Sequence, residues 1–371
     1  MDSWQNDENV NKNIHVDGDE YISAAALILA VLANGQSTLH NFSHAVSDTN
    51  LLNYLKIKGI GINKQGDDLI VAGQGINALT SKITPGFADS IYTLVSILTY
   101  GKPILDFEAL DIKDHIATMN ANIKKAMASA RIKHKQKVIY DLSIKHLDEP
   151  IKAGYFYFKL ATLLGALPEV KKVNVNESFL SPDHTERLFS YFGISQESWG
   201  KKENRITLET SSKPFVSQDL AIPNDISLAA SSIVETILSD DGYLELNNMV
   251  INRKRISFLY ALKYMGADIK IKHRNWFGFE PVGDITVQGG KTLKGVVLPG
   301  HIVINMKNEL PLVMFAAAHA EGITSFYGVY DYTGELFEEC NNMLGKLKAF
   351  SIQVSLDKEK LDVKGNSGIK F

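Results

Sequence analysis

Residues 23–35 read SAAALILAVLANG, residues 37–42 STLHNF, residues 51–59 LLNYLKIKG and residues 60–75 IGINKQGDDLIVAGQG. In order, these are an apolar helix rich in small residues, a short strand, a second amphipathic helix after a polar loop, and two strands of alternating character. The first helix is expected to close on Asn34-Gly35 and the second on Gly59, because glycine takes up left-handed backbone at little cost. The paired strands are expected at residues 60–62 and 68–72, ahead of a Gly73-Gln74-Gly75 turn.

Working outward, the same grammar recurs at residues 87–138, 151–208, 226–287 and 309–363. Helix ends such as LKYMGADIKI (residues 262–271) and LFSYFGI (residues 188–194) repeat the pattern of residues 51–62. Opening helices begin near residues 23, 88, 151, 226 and 309, a spacing of roughly 65 to 85 residues. Five blocks of alternating helix and strand argue for an α/β protein with helices packed beneath sheets. The opening helices, including residues 151–164 and 310–320, are apolar nearly all round and are expected at domain centres.

The 371 residues, 45% hydrophobic and 22% charged, suffice for two domains. A net charge of -3 supplies no bulk attraction for nucleic acid or anionic membrane. One cysteine, Cys340, excludes an intramolecular disulfide and fits a reducing, cytoplasmic compartment. Residues 1–14 are polar and acidic, unlike a secretion signal, and no apolar run reaches the ~20 residues of a membrane span. The histidines lack metal-ligand spacing, so neither metal nor other cofactor is expected.

Several segments resemble the EPSP synthase (3-phosphoshikimate 1-carboxyvinyltransferase) family and, more distantly, UDP-N-acetylglucosamine enolpyruvyl transferase. They are ALILAVLANG, SPDHTERLFSYFG, IPNDISLAA, NRKR with LKYMGADI, EPVGDI and NELPLVMFAAAHAEG. The resemblance implies a two-domain inverse α/β barrel of six repeated helix-strand-helix-strand-strand units, five of them present here, with substrates in the cleft between domains. It places residues 18–222 in one domain and residues 1–17 with 223–371 in the other, and the chain stops at GNSGIKF where a sixth unit would begin.

Joining an enolpyruvyl group to a ring hydroxyl brings phosphoenolpyruvate beside a second phosphorylated anion, so several cations and a proton-transferring carboxylate are required. At the positions that the resemblance assigns to this chemistry, the sequence departs from the family. The lysine of the first helix is Glu20 and its arginine Ala25, while Ser23 remains. The phosphoenolpyruvate loop reads Gly86-Phe87-Ala88-Asp89-Ser90-Ile91-Tyr92-Thr93, without its arginine. A further arginine falls near Asp111, and the ring-binding pair reads Glu149-Pro150, although Lys152 remains. Asn308 replaces the family aspartate, leaving Glu309, and the Lys-Glu-x-x-Arg motif aligns with Asp331-Tyr332-Thr333-Gly334-Glu335. Two like charges at ~4 Å cost on the order of 4 kcal/mol at an effective dielectric of about 20, so Glu20 or Asp111 beside a phosphate would repel it.

The resemblance leaves Glu309 and His184 as candidate catalytic residues, and Ser23, Lys152, Ser181, Asn252 and Arg255 as candidate substrate contacts. Each also has a structural reading. Ser181 suits a helix N-cap, with Pro182 in the first turn, and His184 a partly exposed helix position. Asp225 and Glu309 suit acidic helix caps, and Arg255 a loop tie. Gly289-Gly290-Lys291-Thr292 lacks the earlier glycine of a P-loop and reads as a turn, and the basic run from Lys124 to Lys137 reads as a solvated face.

Three functions follow. One is a relative that has lost ordinary enolpyruvyl transfer and binds a shikimate 3-phosphate-like anion or a partner, such as a second copy covering the missing unit. Another is an active, divergent transferase of the shikimate pathway that uses phosphoenolpyruvate and cations such as Lys113, Lys152 or Arg255. The third is different chemistry, such as elimination, on a shikimate-like ring.

Overall fold

A computed structural model describes residues 11–12, 14–47, 50–75, 131–134, 137–142, 159–160, 163–164, 172–177, 182–194, 205–209, 214–306, 308–329, 335–357 and 359–366. The fold is α/β, and the chain divides into two compact units. The N-terminal unit holds residues 17–223 and 277–280, and the C-terminal unit residues 1–16, 224–276 and 281–371.

The N-terminal unit opens with α1 (Glu20–Leu32), whose residues from Ile22 to Leu32 are all buried. The Asp19 side chain accepts a 3.0 Å hydrogen bond from Ile22 N, and Glu20 lies in the first turn, where a negative charge meets the positive end of the helix dipole. Each fully buried Leu or Ile side chain here contributes about 2 kcal/mol through the apolar surface it removes from water. Strand β1 (Ala33–His40) follows without a break. Asn34-Gly35 is therefore not a helix cap: Ala33 is already extended, and Asn34 and Gly35 pair with Gln74 and Gly73 in the sheet. Sheet hydrogen bonds replace the expected cap, and the strand starts four residues earlier than its sequence pattern suggests. Helix α2 (Asn50–Ile57) leads to β2 (Gly61–Gln65) and β3 (Asp68–Gln74). The sheet runs Asp219–Ala221, β1, β3, β2, with the first pair parallel and the others antiparallel. A second sheet carries Arg131–His134, Lys137–Leu142, β4 (Lys172–Glu177) and β5 (Arg205–Glu209), with α3 (His184–Tyr191) between the last two in sequence.

The C-terminal unit repeats the first plan twice. Helix α4 (Ala230–Leu238), β6 (Tyr243–Val250), α5 (Ser257–Tyr264), β7 (Asp268–Phe277) and β8 (Glu280–Gln288) form one copy, with Asn11–Lys12 as the parallel outer strand. Helix α6 (Leu310–Ala318), β9 (Gly322–Tyr327), α7 (Glu335–Ala349), β10 (Gln353–Leu356) and β11 (Lys360–Gly365) form the other, with Val297–Leu298 outermost. No helix among the described residues is long and apolar enough to cross a membrane.

Two local devices recur and explain why these sequences adopt one plan. Helices α2, α3, α5 and α7 each end in the same 6→1 hydrogen bond, from Ile60, Ile194, Ala267 and Ile352 back to the carbonyls of Leu55, Phe189, Leu262 and Leu347. The residue before each donor has positive φ: Gly59, Gly193, Gly266 and, in the last case, Ser351. The second device joins the final strand of each copy to the end of its opening helix. A Cβ on Gly73 would lie 2.3 Å from the carbonyl oxygens of both Ala30 and Ala33. Gly289 meets Ser239 and Thr236 oxygens at 2.1 and 2.5 Å, and Gly365 meets those of Ala320 and Ala317 at 2.2 and 2.4 Å, in the same way. Only a residue without Cβ lets strand and helix approach this closely.

Candidate functional site

In the C-terminal unit, the segment before α4 and the segments preceding α5 and α6 bring three of the sequence candidates, Asn252, Arg255 and Glu309, together with Asp225 and Ser227. Asp225 Oδ1 accepts hydrogen bonds of 2.8 Å from both Ser227 N and Arg255 Nη2. Ser227 Oγ donates to Glu309 Oε1, which lies 4.0 Å from Arg255 Nη1. Asn252 Oδ1 accepts from Lys254 N at 3.2 Å and the Asn252 carbonyl from Arg255 N at 2.8 Å, which shapes the loop that delivers the guanidinium. Asp225, Asn252, Arg255 and Glu309 are all buried, and Asn308 beside them is exposed.

This geometry corrects two expectations. Asp225 does not cap α4, which starts at Ala230; its carboxylate instead closes a tight turn over Ser227 and holds Arg255. Glu309 stands at the N-cap position of α6 but makes no side-chain cap, because its carboxylate turns to Ser227 and Arg255. Arg255 is thus bracketed by two carboxylates.

In the N-terminal unit, the start of α3 gathers a second buried cluster. His184 Nδ1 lies 3.0 Å from Glu280 Oε1, and both side chains are almost wholly withdrawn from solvent. Arg187 Nε lies 3.0 Å from Asp183 Oδ1 and 4.0 Å from Glu280 Oε2, while its Nη1 donates to the Phe279 carbonyl at 3.5 Å. Lys159, completely buried, pairs with Glu186 and donates to the Pro182 carbonyl at 3.4 Å. Burial opposes the charge on Arg187, but Asp183, with Glu280 and Glu186 behind it, outweighs that and holds the guanidinium more firmly protonated than usual.

Here too the structure departs from expectation. His184 is not a partly exposed helix residue: the hairpin tip that carries Glu280 covers it. The helix begins at His184, so Pro182 lies outside its first turn, and Asp183 at the N-cap position makes no cap bond because it pairs with Arg187 one turn on. Ser181, Lys152, the loop at residues 86–93, Asp111 and residues 149–150 lie outside the described residues. Ser23, buried within α1, accepts a 3.0 Å hydrogen bond from Ser43 N and so ties the helix to the loop after β1. Glu20, where the resemblance places a cation, is half-buried in the first turn of the same helix.

Sequence reasoning missed Glu280, Lys159 and Glu186 as members of the cluster. The available signal was an isolated carboxylate opening the apolar segment EPVGDI, and an isolated lysine in an apolar helix. Both are unfavourable to bury without a partner. A separate groove of about 790 Å³, lined by residues including Ser231, Glu235, Lys291, Phe315 and His319, shares no lining residue with the Asp225–Arg255–Glu309 cluster.

The family model of EPSP synthase (3-phosphoshikimate 1-carboxyvinyltransferase) matches residues 112–369. The 3-phosphoshikimate 1-carboxyvinyltransferase of Petrotoga mobilis is 28% identical over 379 residues, spanning 98% of this chain and 86% of its own. That of Thermodesulfovibrio yellowstonii is 28% identical over 361 residues, spanning 94% of this chain and 83% of its own. Among solved structures, EPSP synthase from Acinetobacter baumannii superposes with a TM-score of 0.72 at 22% identity, covering 95% of this chain and 81% of that one. The enolpyruvyl transferase NikO from Streptomyces tendae gives a TM-score of 0.61 at 14% identity, covering 95% and 82%. At these identities the two structural likenesses speak to the fold alone.

Proposed function

The chain belongs to the EPSP synthase (3-phosphoshikimate 1-carboxyvinyltransferase) family, and on that premise we propose that it keeps the family fold without the family's ordinary reaction. In this reading the chain is a cytoplasmic, non-catalytic relative built as a two-domain inverse α/β barrel of repeated units. It binds a small shikimate 3-phosphate-like anion or a protein partner.

The observation that carries the reading is the environment of Arg255. A transferase working on two phosphorylated substrates needs cations directed at them. Arg255, a cation that survives at a family position, is held at 2.8 Å by Asp225 and faces Glu309 at 4.0 Å. With two carboxylates and one guanidinium, this cluster carries a formal charge of -1 and offers a phosphate no net attraction. Glu20 adds negative charge where a lysine would serve, and the Asn308 amide cannot take the part of a proton-transferring carboxylate. Ser23, Lys152, Ser181 and Asn252 are the remaining candidate substrate contacts.

Calorimetric titration with shikimate 3-phosphate, with and without phosphoenolpyruvate, while phosphate release is followed, tests the proposal. Saturable heat without phosphate release is the expected result for an anion-binding relative. Continuous heat with stoichiometric phosphate release would overturn it in favour of an active transferase. Silence in both channels would remove the shikimate-like ligand and leave the partner-binding form, which analytical ultracentrifugation of the full chain addresses through self-association.

A further inference from the structure

Two histidines in the N-terminal unit each stand between two aspartates. His40, the last residue of β1, has Nδ1 at 2.8 Å from Asp68 Oδ2 on β3 and Nε2 at 2.7 Å from Asp219 Oδ1 on the neighbouring parallel strand. His44 has Nδ1 at 2.9 Å from Asp17 Oδ1 and Nε2 at 3.4 Å from Asp67 Oδ1. Asp67 and Asp68 are adjacent, so the start of the β3 hairpin arm serves both rings. Among the described residues, these six side chains, four carboxylates and two imidazoles, meet across β1, β3, the outer strand, the turn before β3 and the loop entering the unit.

A carboxylate only accepts hydrogen bonds, and a neutral imidazole has one N–H to give. With a carboxylate on each nitrogen, the neutral ring satisfies one partner and turns a lone pair toward the other. The doubly protonated ring satisfies both. Loss of the His40 proton would also take the formal charge of His40, Asp68 and Asp219 together from -1 to -2.

The placement of these aspartates gives the arrangement a purpose. Asp17 is the first residue of the unit, directly after Val16, and Asp219 lies on the strand that leads out of it at Pro223. Backbone bonds from Ile222 N to His40 O at 3.0 Å and from Asp19 N to Pro223 O at 2.8 Å, with Asn41 Nδ2 donating to Ile222 O at 2.9 Å, fasten the same two segments. We infer that the paired Asp–His–Asp groups form a clasp on the segments through which the chain enters and leaves this unit, made pH-sensitive by His40 and closed when that ring is protonated.

The hydrogen bond that His40 donates to Asp68 is the largest influence on the ring; burial opposes it, Asp219 reinforces it, and the net effect holds the ring protonated above its ordinary value of 6.5. A histidine raised in the folded state stabilises it fully below its unfolded value, and that contribution disappears as pH rises through the folded value. The clasp is therefore tight in mildly acidic solution and slackens on the alkaline side of 6.5. It requires neither ligand nor turnover, and stands independently of the function proposed above.

Hydrogen exchange of the full chain, followed by mass spectrometry at about pH 5.5 and about pH 8.0 and corrected for intrinsic rates, tests the clasp. Peptides covering residues 17–23 and 217–223 should lose about two- to threefold in protection between the two conditions, on the scale of a partly exposed ion pair. The variant His40→Gln should show no such dependence there. A wild type whose protection is flat with pH, or a variant with the same slope, would overturn the inference. Because the variant could fail to fold, NMR titration of the wild-type histidines provides a second criterion: a His40 midpoint above 6.5 supports the clasp, and one at or below 6.5 refutes it.

Discussion

His184 Nδ1 lies 3.0 Å from Glu280 Oε1, with neither side chain appreciably exposed and Arg187 Nε 4.0 Å from the other oxygen of the same carboxylate. The pair closes a hairpin tip onto the start of α3. Removing one member strands the other in a medium that solvates it poorly. His184→Ala should cost about 3 kcal/mol in urea unfolding at neutral pH, and adding Glu280→Ala should cost much less than the sum of the singles. Fully additive losses would mean that the two side chains are not coupled.

Arg255 bridges Asp225 and approaches Glu309, so Arg255→Ala leaves two buried carboxylates without their common cation. A loss of about 3 kcal/mol is expected. If Arg255 is structural, the folded fraction of the variant should bind shikimate 3-phosphate as the wild type does. Calorimetry at a temperature where both are folded checks this, and selective loss of binding would make Arg255 a ligand contact.

Ser351 occupies the left-handed position that glycine fills at the ends of α2, α3 and α5, with φ of 60°. Its Cβ is disfavoured there, whereas glycine is not. Ser351→Gly should raise stability by about 1 kcal/mol in chemical denaturation, and a destabilised variant would show that the serine makes a compensating bond.

Gly365 and Gly345 should respond in opposite directions to alanine. A Cβ at Gly365 would meet the carbonyls of Ala320 and Ala317 at 2.2 and 2.4 Å, whereas one at Gly345 in α7 meets nothing within 4 Å. Gly365→Ala should cost about 2–3 kcal/mol through forced separation of β11 from α6. Gly345→Ala should add about 0.5–1 kcal/mol through helix propensity. Thermal melts of the two variants check both signs.

Asp362 sits between Lys360 at 2.7 Å and the Ser325 hydroxyl at 2.6 Å. Burial pushes its carboxyl up, but the two hydrogen bonds outweigh this and hold it below the ordinary 3.8. A carboxylate depressed in the folded state stabilises it above the unfolded value, and the contribution is lost as pH falls through the folded one. The partly exposed site limits the gain to about 0.5 kcal/mol. Wild type should melt above Asp362→Asn at neutral pH, with the gap closing below 3.8; a gap that persists in acid would assign it to packing.

What the sequence determined by itself was the part of the structure governed by nearby residues. Apolar periodicity located α1 and α6 and required their burial, and Gly59, Gly193 and Gly266 announced where α2, α3 and α5 end. Glu20 and Asn308, where the resemblance implies a lysine and an aspartate, are likewise read without coordinates. Tertiary structure alone decided which charges meet. Nothing near His184 foretells Glu280, and nothing near Arg255 tells whether it faces a ligand or the carboxylates of Asp225 and Glu309. Asn34-Gly35 had the local form of a helix cap, yet pairing with Gln74 and Gly73 drew both residues into β1. Local signals arise from backbone preference and periodicity, which a short stretch carries whole. Ion pairing and strand register depend on which distant segments share a buried space, and that is set only when the chain has folded.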